Sequence, residues 1–162
     1  MADFAALALA GEVPVLHGPQ AEDFALVAEA LLAAGRLVPF DADETVIAPD
    51  DIWSRPGSGL ASQVSQAAAL ASEGHVHLVQ LRGIERSAAR SWHPALAALA
   101  RRGLIPRRLL LFATLLDQDA SEAASLPRHL PPRGRGRRGA GVRPAGPAPT
   151  RFRLPRGTLG SG

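Results

Sequence analysis

Apolar positions come in short blocks separated by glycine, proline and acidic residues, and the period inside each block predicts an element. Val13-Pro-Val-Leu-His17 is a brief apolar run closed by Gly18-Pro19, which predicts a buried strand entering a turn. From Ala21 to Ala34, Phe24, Val27, Ala28, Leu31 and Leu32 recur at helical spacing, with Glu22 and Asp23 in the first turn and Gly35 as the stop. Leu37-Val-Pro-Phe40 predicts a second strand. Pro39 has no N–H for a ladder and moves this strand to a sheet edge or its own end. Asp41 to Gly59, rich in Asp, Pro, Gly and Ser, reads as a long connection with a short turn near Asp50-Asp-Ile-Trp53.

Leu60 to Ser72 is alanine-rich, with Leu60, Val64, Ala67, Ala68 and Ala71 on one helical face and Gly74 beyond it. His75 to Leu81 then predicts a strand, Trp92 to Arg102 a helix ending at Gly103, and Arg108 to Thr114 another strand. The strand segments are nearly continuous apolar runs, the pattern of a parallel sheet covered on both faces. The expected fold is α/β, a doubly wound and mostly parallel sheet with flanking helices, over residues 1–130. From Pro131 the periodicity stops. Residues 131–162 hold 8 Gly, 6 Pro and 8 Arg, and only Val142, Phe152, Leu154 and Leu159 are large and apolar, so a disordered tail is expected.

Charge divides at the same place. Residues 1–130 hold all 15 acids against 10 arginines, a balance of −5, whereas residues 131–162 hold 8 arginines and no acid, a balance of +8. The net +3 of the 162 residues therefore describes neither part. A hydrophobic content of 46% suffices for one core if the tail stays outside it. With no cysteine, disulfide scaffolds, thiolate catalysis and thiolate metal sites are excluded. Met1 to Gly11 lacks a basic segment before its apolar run, and no apolar stretch reaches the ~20 residues that span a bilayer. The expectation is a cytoplasmic protein without a membrane partner. Lys, Asn and Tyr are absent while Ala, Arg, Gly and Pro abound, as GC-rich bacterial coding produces.

The order of these pieces, from Val13 to Leu130, resembles the core of a P-loop ATPase of the AAA+ superfamily, nearest to its MoxR and McrB-like branches. Gly18-Pro-Gln-Ala-Glu-Asp-Phe-Ala25 stands where that family has G-x-x-x-x-G-K-[ST], and only Gly18 matches. Asp23 replaces the second glycine, Phe24 the lysine and Ala25 the hydroxyl residue. Phosphate binding at a helix N-terminus requires available amides and positive charge. Glu22 and Asp23 would instead repel phosphate and satisfy the amides themselves, which makes the segment a capped amphipathic helix. Gly18 and Pro19 are then the remnant of a degenerate nucleotide loop. His77-Leu-Val-Gln-Leu81 followed by Arg82-Gly-Ile-Glu-Arg86-Ser87 is similar to the family's Walker B strand and D-E-I-[DN]-R-A segment, with Arg82 and Gly83 in place of the two acids and Glu85 displaced by two positions. Leu116 occupies the place of the polar sensor residue after the last strand. No lid domain or arginine finger has a counterpart. The resemblance implies a module without ATP hydrolysis, cofactor or bound ATP, acting on a protein partner.

Other constellations point to less. His75 and His77 alternate on a strand, a spacing that can chelate a metal, but no acid or third histidine is near, and no metal site is expected. His17, His93 and His129 are isolated. Ser58 sits in turn chemistry, and the acids from Asp41 to Asp51 lack the spacing of a calcium loop. Trp53, in a Pro/Gly-rich loop, is a candidate contact residue; Trp92 is expected to pack against the sheet. Arg82, Arg86 and Arg90, and Arg101, Arg102, Arg107 and Arg108, read as surface arginines. The alternative function rests on the tail. Arg133, Arg135, Arg137 and Arg138 lie in an acid-free segment suited to non-specific phosphate contacts on RNA or DNA. A reading-frame shift in a GC-rich gene gives the same composition.

Overall fold

Six consecutive apolar or small residues, Leu109–Thr114, form an interior strand of the computed structural model, and every one of them is buried. The structure describes residues 1–55, 57–117 and 119–126. The chain divides into Met1–Pro132 and Arg133–Gly162, and all the elements below lie in the first unit. The expected tail, with Arg133, Arg135, Arg137 and Arg138, lies outside the described residues.

The strands are β1 (Val15–Leu16), β2 (Leu37–Asp41), β3 (His77–Arg82) and β4 (Leu109–Thr114), in the spatial order β1-β4-β3-β2. All three pairings are parallel: Val15 lies opposite Ala113, His77 opposite Leu109, and Leu37 opposite Leu78. Parallel neighbours need crossovers, and helices supply them: α2 (Ala21–Ala28), α3 (Gln63–Ser72) and α4 (Ala89–Arg101), preceded by α1 (Ala2–Leu9).

Period-two alternation sorts the strand side chains into two cores. Val79, Leu81, Leu109, Leu111 and Ala113 pack with Val64, Ala67 and Ala71 of α3 and with Trp92 and Leu96 of α4. Leu78, Leu110 and Phe112 pack on the other side with Phe4 and Ala8 of α1 and Ala21, Ala25 and Ala28 of α2. Both faces of β3 and β4 are covered, which is why their sequences are continuous runs. The fold is α/β, a four-stranded parallel sheet with helices on both sides. β2 is an edge strand, as Pro39 requires.

One helix is unexpected, and four expectations about the others need correction. α1 carries no sequence signal stronger than a short apolar run, yet Phe4 anchors it: its ring meets Phe24 edge-on at 5.0 Å and Phe112 at 5.5 Å. The helix expected over Ala21–Ala34 is α-helical only to Ala28 and continues as a π turn over Glu29–Ala33, ending at Ala34 and Gly35 with φ of 48° and 82°. Its buried face is only partly the predicted one: Ala28 is buried and Phe24 and Leu32 pack against the core, but Val27 and Leu31 do not. Ala21, Ala25 and Ala28 face the sheet, while Val27 and Leu31 are 51% and 67% exposed. Apolar residues also stand outside the predicted positions, at Ala21, Ala25, Leu26 and Ala30, so pattern alone does not select one face; alanines let the helix axis approach over bulky Phe112 and Leu110.

The helix expected from Leu60 starts at Gln63, because Ser62 caps it. The Ser62 hydroxyl accepts from the Ser65 amide at 3.2 Å and donates to the Ile52 carbonyl at 2.6 Å. α4 begins three residues before Trp92 and carries Pro94 inside it on the exposed side.

Candidate functional site

In open parallel sheets ligands bind beyond the carboxyl ends of the strands, where successive crossovers leave on opposite faces. β1 sends the chain to α2 on one face and β3 sends it to α4 on the other. The carboxyl edge of β1, β4 and β3 is therefore the region to search, and the residues carrying the resemblance are gathered there.

The β1–α2 turn is built on Gly18, whose φ of 112° disfavours any side chain. A Cβ there would meet nothing within 4 Å, so the glycine serves the turn's dihedral and leaves an open backbone. The Ala21 amide donates to the Gly18 carbonyl at 3.1 Å, and Pro19 is exposed. Contrary to expectation, no side chain caps α2. Glu22 turns instead toward the sheet and accepts from Gln80 Nε2 at 2.9 Å; the same nitrogen donates to Thr114 Oγ1 at 3.2 Å. Gln80 and Thr114 are buried, so this polar chain ties α2, β3 and β4 together at the strand ends. Gln80 was legible only as a polar residue inside the apolar run of β3.

Phe24, at the lysine position, is half-buried against Phe4, and Ala25, at the hydroxyl position, is fully buried against the sheet. Asp23 is exposed. An open cavity of ≈ 520 Å³ adjoins this turn, lined by Leu16, His17, Gln20, Asp23, Phe24 and Val27 among others.

At the end of β3, Arg82 Nε lies 3.6 Å from Asp41 Oδ1 across the β2–β3 pair. Gly83 has φ 64°, and a Cβ there would meet the Leu116 side chain at 2.9 Å; its amide donates to the Thr114 carbonyl at 2.9 Å. Glu85 is 5% exposed and accepts through Oε1 from the Leu116 amide at 3.1 Å and the Asp117 amide at 2.9 Å. It latches the loop after β3 to the loop after β4. Among the described residues its Oε2 has no partner. Leu116 leaves its side chain half exposed over Gly83.

The remaining candidates are dispersed. His77 is buried at the start of β3, whereas His75 precedes the strand and is exposed, so the two share no face. No group of three or more His, Asp or Glu among the described residues is placed to hold a metal ion. His93 is buried in α4 with Nε2 2.8 Å from the Val13 carbonyl, which ties α4 to the chain entering β1. Trp92 is fully buried, its Nε1 donating to Ser87 Oγ at 3.1 Å. Trp53 is half-buried against the core under α3 and α4, and so is mainly a packing residue rather than a loop-tip contact.

Arg82, Arg86 and Arg90 lie on a strand, a 3₁₀ turn and a helix, and Arg90 pairs with Glu122 at 2.9 Å. Arg101, Arg102 and Arg107 line a cavity of ≈ 330 Å³ with Glu12, to which Arg101 is paired at 3.0 Å. Arg108 donates to the Gly74 carbonyl at 2.6 Å.

The acidic connection satisfies its own backbone. Asp51 Oδ2 accepts from the amides of Ile47 and Ala48 at 2.9 and 2.8 Å. Asp43 accepts from the hydroxyl and the amide of Thr45, and the hydroxyl bond first, then the amide, holds its carboxyl below the usual carboxylate range. No helix among the described residues is long and apolar enough to cross a membrane. Compared with family models, with curated proteins and with solved structures, the chain matches none.

Proposed function

We propose that residues 1–130 are a catalytically degenerate AAA+-like module that acts through protein interaction and does not hydrolyse ATP. One observation carries the reading: at the lysine and hydroxyl positions Phe24 and Ala25 are packed, at the two acid positions Arg82 and Gly83 offer no carboxylate, and the nearest acid, Glu85, is bonded to loop amides. Phe24 lies on Phe4, Arg82 faces Asp41, and Glu85 spends one oxygen on two loop amides. Phosphoryl transfer needs positive charge on the phosphates and groups that hold Mg²⁺ and orient the attacking nucleophile. Here the first turn of α2 offers Glu22 and Asp23 instead, and Gly18 and Pro19 keep only the turn. The parallel sheet covered on both faces is the architecture the resemblance implies. Calorimetric titration of the full chain with Mg-ATP, with phosphate release measured in parallel, tests the proposal. The expected outcome is no saturable binding in the micromolar range; micromolar binding with turnover refutes it.

A second reading is favoured by the acid-free composition of residues 131–162, in which Arg133, Arg135, Arg137 and Arg138 suit non-specific contacts with RNA or DNA phosphates. Deleting 131–162 would then abolish retention of nucleic acid at low salt.

A further inference from the structure

We propose that the outer face of α2 is a self-association surface, on which a second copy of this chain packs its own α2 in the antiparallel direction. α2 and the π turn that continues it bury mainly alanines against the sheet and present Leu26, Val27 and Leu31 to solvent at 61%, 51% and 67% exposure, with Ala30 between them. Large apolar side chains of this kind favour an interior, and the sheet covers only the other side of the helix. The apolar surface is continuous with the ≈ 520 Å³ cavity through Val27 and Phe24.

Charge selects the occupant. In the first turn Glu22 is taken up by Gln80, while Asp23 is exposed and has no partner among the described residues. Just beyond the far end stands exposed Arg36, which uses Nε on the Val76 carbonyl at 3.1 Å and leaves its terminal nitrogens without a partner among the described residues. One surface thus holds acid at one end and base at the other, which is self-complementary under a two-fold axis.

With that axis between Ala28 and Glu29, Leu26 meets the second copy's Leu31, Val27 meets its Ala30, and Asp23 approaches its Arg36. Small Ala30 and Ala34 let the helices come close, and antiparallel macrodipoles attract. A parallel arrangement would set acid against acid. This inference deepens the interaction reading by naming the partner.

Sedimentation velocity on the full chain from sub-micromolar to hundreds of micromolar concentration tests it. The expected result is a reversible monomer–dimer equilibrium that Leu26→Glu and Leu31→Glu each weaken about tenfold or more with circular dichroism unchanged, since both side chains are exposed. Arg36→Glu and Asp23→Arg should each weaken the dimer, and the double variant should restore it. A monomer at every concentration overturns the proposal, as does a dimer indifferent to the leucine changes or a double variant without recovery. None of these results bears on the Mg-ATP titration, so the two readings fail separately.

Discussion

Replacing Glu85 separates an acid that holds a loop from one that does chemistry. Its Oε1 accepts two backbone N–H groups, at 3.1 and 2.9 Å, and the residue is 5% exposed. Hydrogen bonds to a charged acceptor contribute about 1.5–3 kcal/mol each, offset here by the desolvation of an Oε2 without a partner among the described residues. The net loss for Glu85→Ala should be about 2–3 kcal/mol, or about 10 °C in Tm for a domain of this size. Glu85→Gln keeps an acceptor at the same place and should lose about half as much. The control Glu73→Ala changes an exposed side chain and should stay within about 0.5 kcal/mol. Urea unfolding supplies the free energies, and amide exchange locates them: Leu116 and Asp117 should lose protection before the strands do. If Glu85→Ala unfolds like the wild type, or if those two amides keep their protection, the latch does not exist.

Two further outcomes follow from the packing and the loop chemistry. Ala28→Leu should destabilise by about 1–3 kcal/mol through overpacking under Phe112, whereas Ala30→Leu, two positions on and exposed, should stay within about 0.5 kcal/mol; equal effects in thermal melts would refute the close packing of Ala28 on the sheet. Asp43 should titrate below the usual carboxylate range by NMR, and Thr45→Val should bring it back up. Because the folded-state value is lowered, the stability that this group adds is present above the ordinary carboxylate value and is lost as the pH falls through the lowered one.

Much of the architecture is written locally. Continuous runs such as Leu109–Thr114 can only be strands buried on both faces, Pro39 marks an edge, and Gly35, Gly74 and Gly103 end helices where left-handed backbone is needed. Ser62 and Gln80 were less legible. Their roles depend on partners 10 to 58 residues away, the Ile52 carbonyl for one and Glu22 and Thr114 for the other. α1 escaped for a similar reason: an eight-residue helix has little stability of its own and exists here because Phe4 finds Phe24 and Phe112.

Glu85 shows the limit of reading a site from spacing. Two positions from where a catalytic acid would stand, it looked like a poor substitute; the fold makes it the bond between two loops. The sequence by itself determined the four strands, the presence of α2, α3 and α4 and the turns that end them, and excluded thiol chemistry, because dihedral preference, period and residue type act over a few neighbours. Only the tertiary structure decided which side of α2 is buried and what Glu22, Phe24 and Arg82 hold. Those outcomes depend on the shapes and charges of residues brought together from distant parts of the chain, and a helix with apolar residues on more than one side gives little local reason to choose.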